Sequence, residues 1–176
     1  MKNIKLIIIP LIVTFLTFLS CEKDDICSET TETTPSLHVA FYDVNFPSTD
    51  TPKNVTKLRV TGIGDPDPGV LSGYDAITSK EAYLPLKTTE NSTQYILHRN
   101  YRFDDNGNVL GNPDTITISY VRKEIYVSRA CGYKTIFENV VITVLDDGDK
   151  WIQLVQAEND NQTVENENDI HYKIYH

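Results

Sequence analysis

The six residues Thr-Ile-Thr-Ile-Ser-Tyr at positions 115–120 decide the fold, because apolar and polar side chains alternate through them without interruption. In a β-strand, such alternation places Ile116, Ile118 and Tyr120 on one face and the hydroxyl side chains on the other. Shorter alternating segments lie at 37–42, 57–60, 94–98, 125–128 and 170–174. The pattern predicts an all-β chain that forms a single antiparallel β-sandwich, immunoglobulin-like in style, of about eight or nine strands. A small up-and-down β-barrel is the alternative.

The stretch 137–145 differs from these segments because its second half is apolar at nearly every position. A strand with apolar side chains on both faces is typical of the middle of a sheet. We therefore expect 137–145 to form a central, buried strand.

Composition excludes several classes of protein. The 176 residues carry 16 Lys+Arg against 25 Asp+Glu, a formal net charge of -9. A nucleic-acid binder needs a basic face to displace phosphate counterions, so this class is not expected. The length suits one domain of ordinary size.

The N-terminal segment has the composition of an export signal. Lys2 and Lys5 precede the apolar run 7–19. As a helix this run would be only about 20 Å long, short of the roughly 30 Å hydrocarbon core of a bilayer. A short apolar run behind a positive start predicts a signal peptide over residues 1–20.

The end of that run resembles the lipobox of bacterial lipoproteins. Ser20 and Cys21 fit the pattern, whereas Phe18 and Leu19 depart from it. The resemblance implies that Cys21 becomes the lipidated first residue of the mature chain, and an ordinary secreted protein is the alternative. Two or three acyl chains would then anchor the protein stably in a membrane.

The residues that follow Cys21 suggest where the anchor is displayed. Lys23, Asp24 and Asp25 resemble the surface-export tag of Bacteroidota lipoproteins. This resemblance implies a cell outer membrane location, facing outward rather than toward the periplasm. A solvated linker in an inward-facing lipoprotein is the alternative interpretation.

The predicted mature chain is strongly acidic. Removal of 1–20 leaves 14 Lys+Arg against 25 Asp+Glu, a formal charge of -11. Anionic headgroups would repel such a body, so the lipid must provide the anchoring. We assign 21–35 to a lipidated N-terminus and polar tether, and 36–176 to a single β domain.

Two cysteines remain after Cys21 is acylated. An even pair in an exported protein favours a disulfide between Cys27 and Cys131, with a reactive or metal-binding pair as the alternative. Cys27 follows Cys21 by six residues, at most about 20 Å of extended chain. The bridge would therefore turn the edge of the fold that carries Cys131 toward the membrane.

The sequence contains no recognised catalytic or cofactor motif. Asp104, Asn106 and Asn108 alternate as in a calcium loop, but the glycine and the closing glutamate of an EF-hand are missing, so turn chemistry explains them. We expect no catalytic residue, no metal and no cofactor. Tyrosine is abundant, which the preference of this residue for strands explains. The alternative is a sugar- or protein-binding face formed by Tyr126, Tyr133, Tyr172 and Tyr175.

Two further resemblances concern modification and family. Asp114-Thr115-Ile116 resembles the Bacteroidota O-glycosylation sequon, which implies a glycan on an outward-facing Thr115. The stretches 21–27, 84–86, 126–133 and 164–167 are similar to a family of uncharacterised Bacteroidota cell-envelope lipoproteins. That resemblance implies location and architecture but no activity, and it supports pairing Cys27 with Cys131.

These observations predict a non-enzymatic, lipid-anchored cell-envelope protein. Its β domain would be an outer-membrane surface binding or structural module whose partner is an envelope protein or a glycan. The alternative is a lipid-anchored carrier that holds a small apolar or glycan ligand in a β-barrel cavity.

Overall fold

The computed structural model describes residues 26–28, 31, 33–64 and 69–176. The predicted signal peptide, Cys21 and the Lys23–Asp25 tag lie outside these ranges. Within them the chain forms nine strands and no helix: β1 (Leu37–Tyr42), β2 (Val55–Ile63), β3 (Ile77–Ser79), β4 (Glu81–Leu84), β5 (Ser92–Phe103), β6 (Val109–Ser128), β7 (Gly132–Val144), β8 (Leu154–Ala157) and β9 (Tyr172–Tyr175). Over the same ranges, no helix exists that is long and apolar enough to cross a membrane.

The strands form two sheets. One has four strands in the order β4-β1-β9-β8, and the other has five in the order β3-β2-β5-β6-β7. A single cluster of buried apolar side chains joins them, with Phe41 of the first sheet and Leu97 and Ile116 of the second among its members. The predicted β-sandwich is confirmed, and across the described strands neither sheet closes into the alternative barrel.

The alternating stretch 115–120 behaves as the sequence predicts. It lies within β6, where Ile116 and Ile118 are fully buried and Tyr120 nearly so. Thr115 and Thr117 are half-buried and Ser119 is exposed on the opposite face. Each buried side chain of this size contributes about 1.5–3 kcal/mol to folding.

The prediction of a central strand at 137–145 is wrong. β7 is the outer strand of its sheet, and the exposed side chains of Val141 and Leu145 are in contact with solvent. Only the other face, with Phe137, Val140 and Ile142, packs against the core.

The strand that is buried on both faces is β1. It pairs antiparallel with β4 and parallel with β9, so the first and last strands of the chain are neighbours. Its second face packs in a separate small cluster in which Ala40 and Tyr42 meet Tyr175. This cluster explains why an alternating sequence is buried throughout.

The described residues fall into two compact units. The disulfide unit contains 26–28, 31 and Tyr126–Tyr133, and the sandwich unit contains the remainder. The turn between β6 and β7 belongs to the disulfide unit.

Candidate functional site

A disulfide bond joins the two segments of the chain that make up the disulfide unit. Cys27 and Cys131 are bonded across a sequence separation of 104, which confirms the predicted pair. The backbone N–H of Cys131 donates to Ser128 Oγ at 3.0 Å and orders the turn after β6. Gly132 follows with φ of 70°, a left-handed conformation that glycine adopts without strain.

Two tyrosines flank this turn, one on each side. The rings of Tyr126 and Tyr133 meet edge to face, with centroids 5.4 Å apart, yet they are 58% and 67% exposed. Ile26, directly before the disulfide, is 83% exposed. Three large apolar side chains in the disulfide unit therefore face solvent rather than a protein core.

The four tyrosines considered as a binding face do not act together. Tyr172 and Tyr175 are buried in the sandwich unit, where the Tyr172 hydroxyl donates to Val140 O at 2.5 Å. Only Tyr126 and Tyr133 form an exposed pair, so the predicted set is half wrong.

A second exposed aromatic group lies at the end of β5, and sequence analysis missed it. The guanidinium of Arg59 lies 4.3 Å from the centroid of the Tyr101 ring, and Phe103 packs against that ring while remaining 60% exposed. The signal was the spacing of Tyr101 and Phe103, which places both on one face of a strand.

Hydrogen bonds to an aspartate hold the turn beside this group. Asp104 Oδ1 accepts from the backbone N–H groups of Asn106 and Asn108, and the Asn108 side chain donates to Oδ2. Hydrogen bonds from the Asn108 side chain and then from its backbone hold the pKa of Asp104 below its usual value. In the described part of the chain, no three His, Cys, Asp or Glu side chains converge as a metal ion would require.

Two residues of the predicted glycosylation sequon, Asp114 and Thr115, differ in burial. Asp114 is fully buried, and its two carboxylate oxygens accept from the backbone N–H groups of Trp151 and Ile152. Burial raises the pKa of Asp114, against the lowering effect of those hydrogen bonds. Thr115 points to the opposite face and is half-buried beside Ile96 of β5. The aspartate of the sequon is therefore inaccessible in the folded sandwich.

The densest cluster of charges surrounds Lys173. Its Nζ lies 2.8 Å from Asp50 Oδ2 and 2.6 Å from Glu158 Oε2, and the Tyr175 hydroxyl donates to Asp50 Oδ1 at 2.6 Å. Hydrogen bonds to Asp50 and Glu158 raise the pKa of Lys173, and burial is the main cause that raises the pKa of Tyr175 to about 12. General acid–base catalysis works best with a pKa near the working pH, so these pKa values favour a structural role for the network.

Buried histidines are also placed for packing. The backbone N–H of His38 donates to His171 Nδ1 at 3.1 Å, and the His38 ring stacks on Tyr83. The His176 ring contacts Phe41 and Trp151 edge to face, and no protein group among the described residues hydrogen-bonds to either ring nitrogen.

His176 makes stability depend on pH. Burial first, and then the nearby Lys53, lower its pKa to about 4, with Arg99 adding to the effect and Asp43 opposing it. The folded state holds the ring neutral, while the unfolded state takes up a proton below about pH 6.5. Stability is therefore full above that pH and is lost progressively as pH falls toward 4.

We expect His176→Phe to remove this loss. Between pH 7 and pH 4 the wild-type chain should lose about 3 kcal/mol more of its free energy of unfolding than the variant. Urea denaturation at several pH values measures the difference. Burial also lowers the pKa of His171, but this residue makes the same contribution to the pH dependence of stability in both chains. Parallel pH profiles for the two proteins would contradict the assignment.

Two surface depressions of about 290 Å³ are present in the described residues. One is lined by Ile125, Lys134, Ile136, Glu165 and Asn166, and the other by side chains of β7 and β8 with the loop between them. Both open to solvent.

Comparison with known proteins gives one match. A sequence profile described as a family of unknown function (DUF6452) matches residues 57–176, from within β2 to the end of the sequence. No curated protein and no solved structure matches.

Proposed function

We propose that this chain, which belongs to the family of unknown function DUF6452, is a non-enzymatic, lipid-anchored protein of the cell envelope. In this proposal it resembles the Bacteroidota surface lipoproteins and serves as a binding or structural module on the outer membrane. Cys21 carries the lipid, and an envelope protein or a glycan is the partner.

The observation that carries the proposal is the Cys27–Cys131 disulfide. Disulfides form and persist in oxidising compartments, which supports export. Its position six residues after Cys21 also supports an anchor, because the bridge fastens the sandwich-bearing chain close to the acylated residue. The apolar run at 7–19 and Ser20-Cys21 support the same route.

The proposal that the protein is not an enzyme rests on the hydrogen bonds and ion pairs of three titratable side chains. Asp104 and Asp114 accept hydrogen bonds from the backbone, and Lys173 is saturated by two carboxylates. Each of these groups has a structural partner that explains it. The carrier alternative required a barrel, and across the described strands neither sheet closes into one.

Surface display is tested by protease treatment of intact cells. Wild-type protein should be cleaved, whereas a variant with Lys23, Asp24 and Asp25 all changed to Ala should be protected, because it lacks the export tag. Immunoblots of treated cells give the measurement.

A matched control changes Glu29 and Glu32 to Ala, which removes acidic charge on the other side of Cys27 and should leave the protein sensitive. A wild-type protein that is protected in intact cells would overturn surface display. Cys21→Ala should release the protein from the membrane fraction, and an unchanged distribution would overturn lipid anchoring.

A further inference from the structure

The exposed tyrosine pair is rigid as well as exposed. Each ring restrains the other through their edge-to-face contact, and the disulfide restrains the turn between them. Ordered aromatic side chains lose little conformational entropy when they bind a surface. With Ile26, the pair offers a preformed apolar contact in the disulfide unit.

The length of chain to Cys21 limits what this contact can reach. Cys27 lies six positions after Cys21, which is at most about 20 Å of fully extended chain. Tyr133 lies two residues after Cys131 and Tyr126 five before it. Both tyrosines are therefore held within a short distance of the residue that carries the lipid.

The local charge does not explain the contact with an anionic surface. Residues 126–133 contain Arg129 and no acidic residue, in a predicted mature chain with a formal charge of -11. The tether residues 22–25 carry a net charge of -2, so Coulomb attraction by Arg129 does not outweigh them. The apolar rings must therefore provide the main attraction to the membrane surface.

The turn after β5 provides an internal comparison. It too presents an exposed aromatic side chain, Phe103, but Asp104 and Asp105 follow immediately. Arg102 offsets one of these two charges, so neither exposure nor charge separates the two aromatic groups. What singles out the tyrosine pair is the short length of chain from its disulfide to Cys21.

We propose that Tyr126 and Tyr133, with Ile26 and Arg129, contact the surface of the membrane that holds the lipid anchor. Tyrosine suits this place, since its ring is apolar and its hydroxyl is polar, and it is enriched where hydrocarbon meets water. The contact gives the protein a second attachment beside the acyl chains and fixes which end of the β6–β7 hairpin faces the bilayer. This inference rests on the proposed lipid anchoring at Cys21.

Tryptophan fluorescence tests the contact. Lipidated full-length chains carrying Tyr133→Trp or Phe103→Trp are reconstituted into phosphatidylethanolamine–phosphatidylglycerol vesicles whose acyl chains are brominated, since bromine quenches tryptophan on contact. The native Trp151 is buried and supplies a common background. We expect about twofold or greater quenching of the Y133W signal relative to F103W, because an interfacial aromatic ring sits at headgroup level.

The outcomes separate the two proposals. If the proteins float with the vesicles but Y133W and F103W are quenched equally, the membrane contact is overturned while the anchor stands. If no protein floats, lipid anchoring itself fails and the contact with it. If Y133W is shielded from aqueous acrylamide but not quenched by bromolipid, a second copy of the chain covers the pair, which also overturns the inference.

Discussion

Asp114→Ala is expected to lower the free energy of unfolding by about 2–5 kcal/mol, because two buried backbone N–H groups would lose their acceptor. Asp114 is fully buried, and its carboxylate accepts from Trp151 N at 3.3 Å and from Ile152 N at 2.8 Å. These bonds connect the middle of β6 to the segment that leads into β8. Alanine would leave both N–H groups without a partner in a site that is closed to water.

Urea denaturation at neutral pH measures this loss. Asp114→Asn keeps one carbonyl oxygen and should retain part of the stability. Asp105→Ala is the matched control, because it removes an exposed aspartate and should change stability by no more than about 0.5 kcal/mol. If D114A and D105A unfold at the same urea concentration, the carboxylate does not stabilise the sandwich.

Asp114 was predicted only as part of a glycosylation sequon, although the sequence also indicates its structural role. Its position has the same parity as Ile116, Ile118 and Tyr120, so the alternation that predicts their burial also predicts that of Asp114. A charged residue at an inward-facing position requires hydrogen-bond donors, and the structure supplies them from Trp151 and Ile152. The donors themselves could not be predicted, since they come from a distant loop.

The sandwich was predictable because alternation is a local property, whereas the position of each strand in its sheet is not. β7 has apolar residues on both faces, as a central strand would, and yet it is an outer strand. β1 alternates weakly and is buried throughout, because Tyr42 and Tyr175 pack together on its second face. Strand order depends on long-range pairing such as that of β1 with β9, which no local pattern encodes.

The candidate site likewise has features that the sequence predicts and features that depend on the folded chain. The disulfide followed from the number of cysteines and the export signal, and both are properties of the sequence alone. The exposure of Tyr126 and Tyr133 depends on a turn that brings them side by side, while Tyr172 and Tyr175 are covered by other parts of the chain. Composition identified tyrosine as the residue of interest without indicating which tyrosines are exposed.

Cys131→Ser is expected to lower the free energy of unfolding by about 2 to 4.7 kcal/mol under oxidising conditions. The disulfide closes a loop with a sequence separation of 104, and restraining a loop of that length in the unfolded chain is worth about 4.7 kcal/mol. Thr34 Oγ1 accepts from Thr135 N at 3.0 Å, and the variant keeps this hydrogen bond. Disulfides in proteins typically contribute about 2 to 4 kcal/mol, which sets the lower end of the expected range.

Adding a reductant tests whether the stabilisation comes from the Cys27–Cys131 disulfide bond itself. Wild-type protein in dithiothreitol should unfold at the same urea concentration as Cys131→Ser, and the reductant should not change the variant. A chain with both Cys27→Ser and Cys131→Ser is the matched control, because it removes the free thiol that the single variant leaves behind. Its stability should equal that of the single variant, since both lack the same cross-link. If reductant leaves the wild-type transition unchanged while C131S is destabilised, serine acts through local packing at the turn, and the loop-closure explanation is wrong.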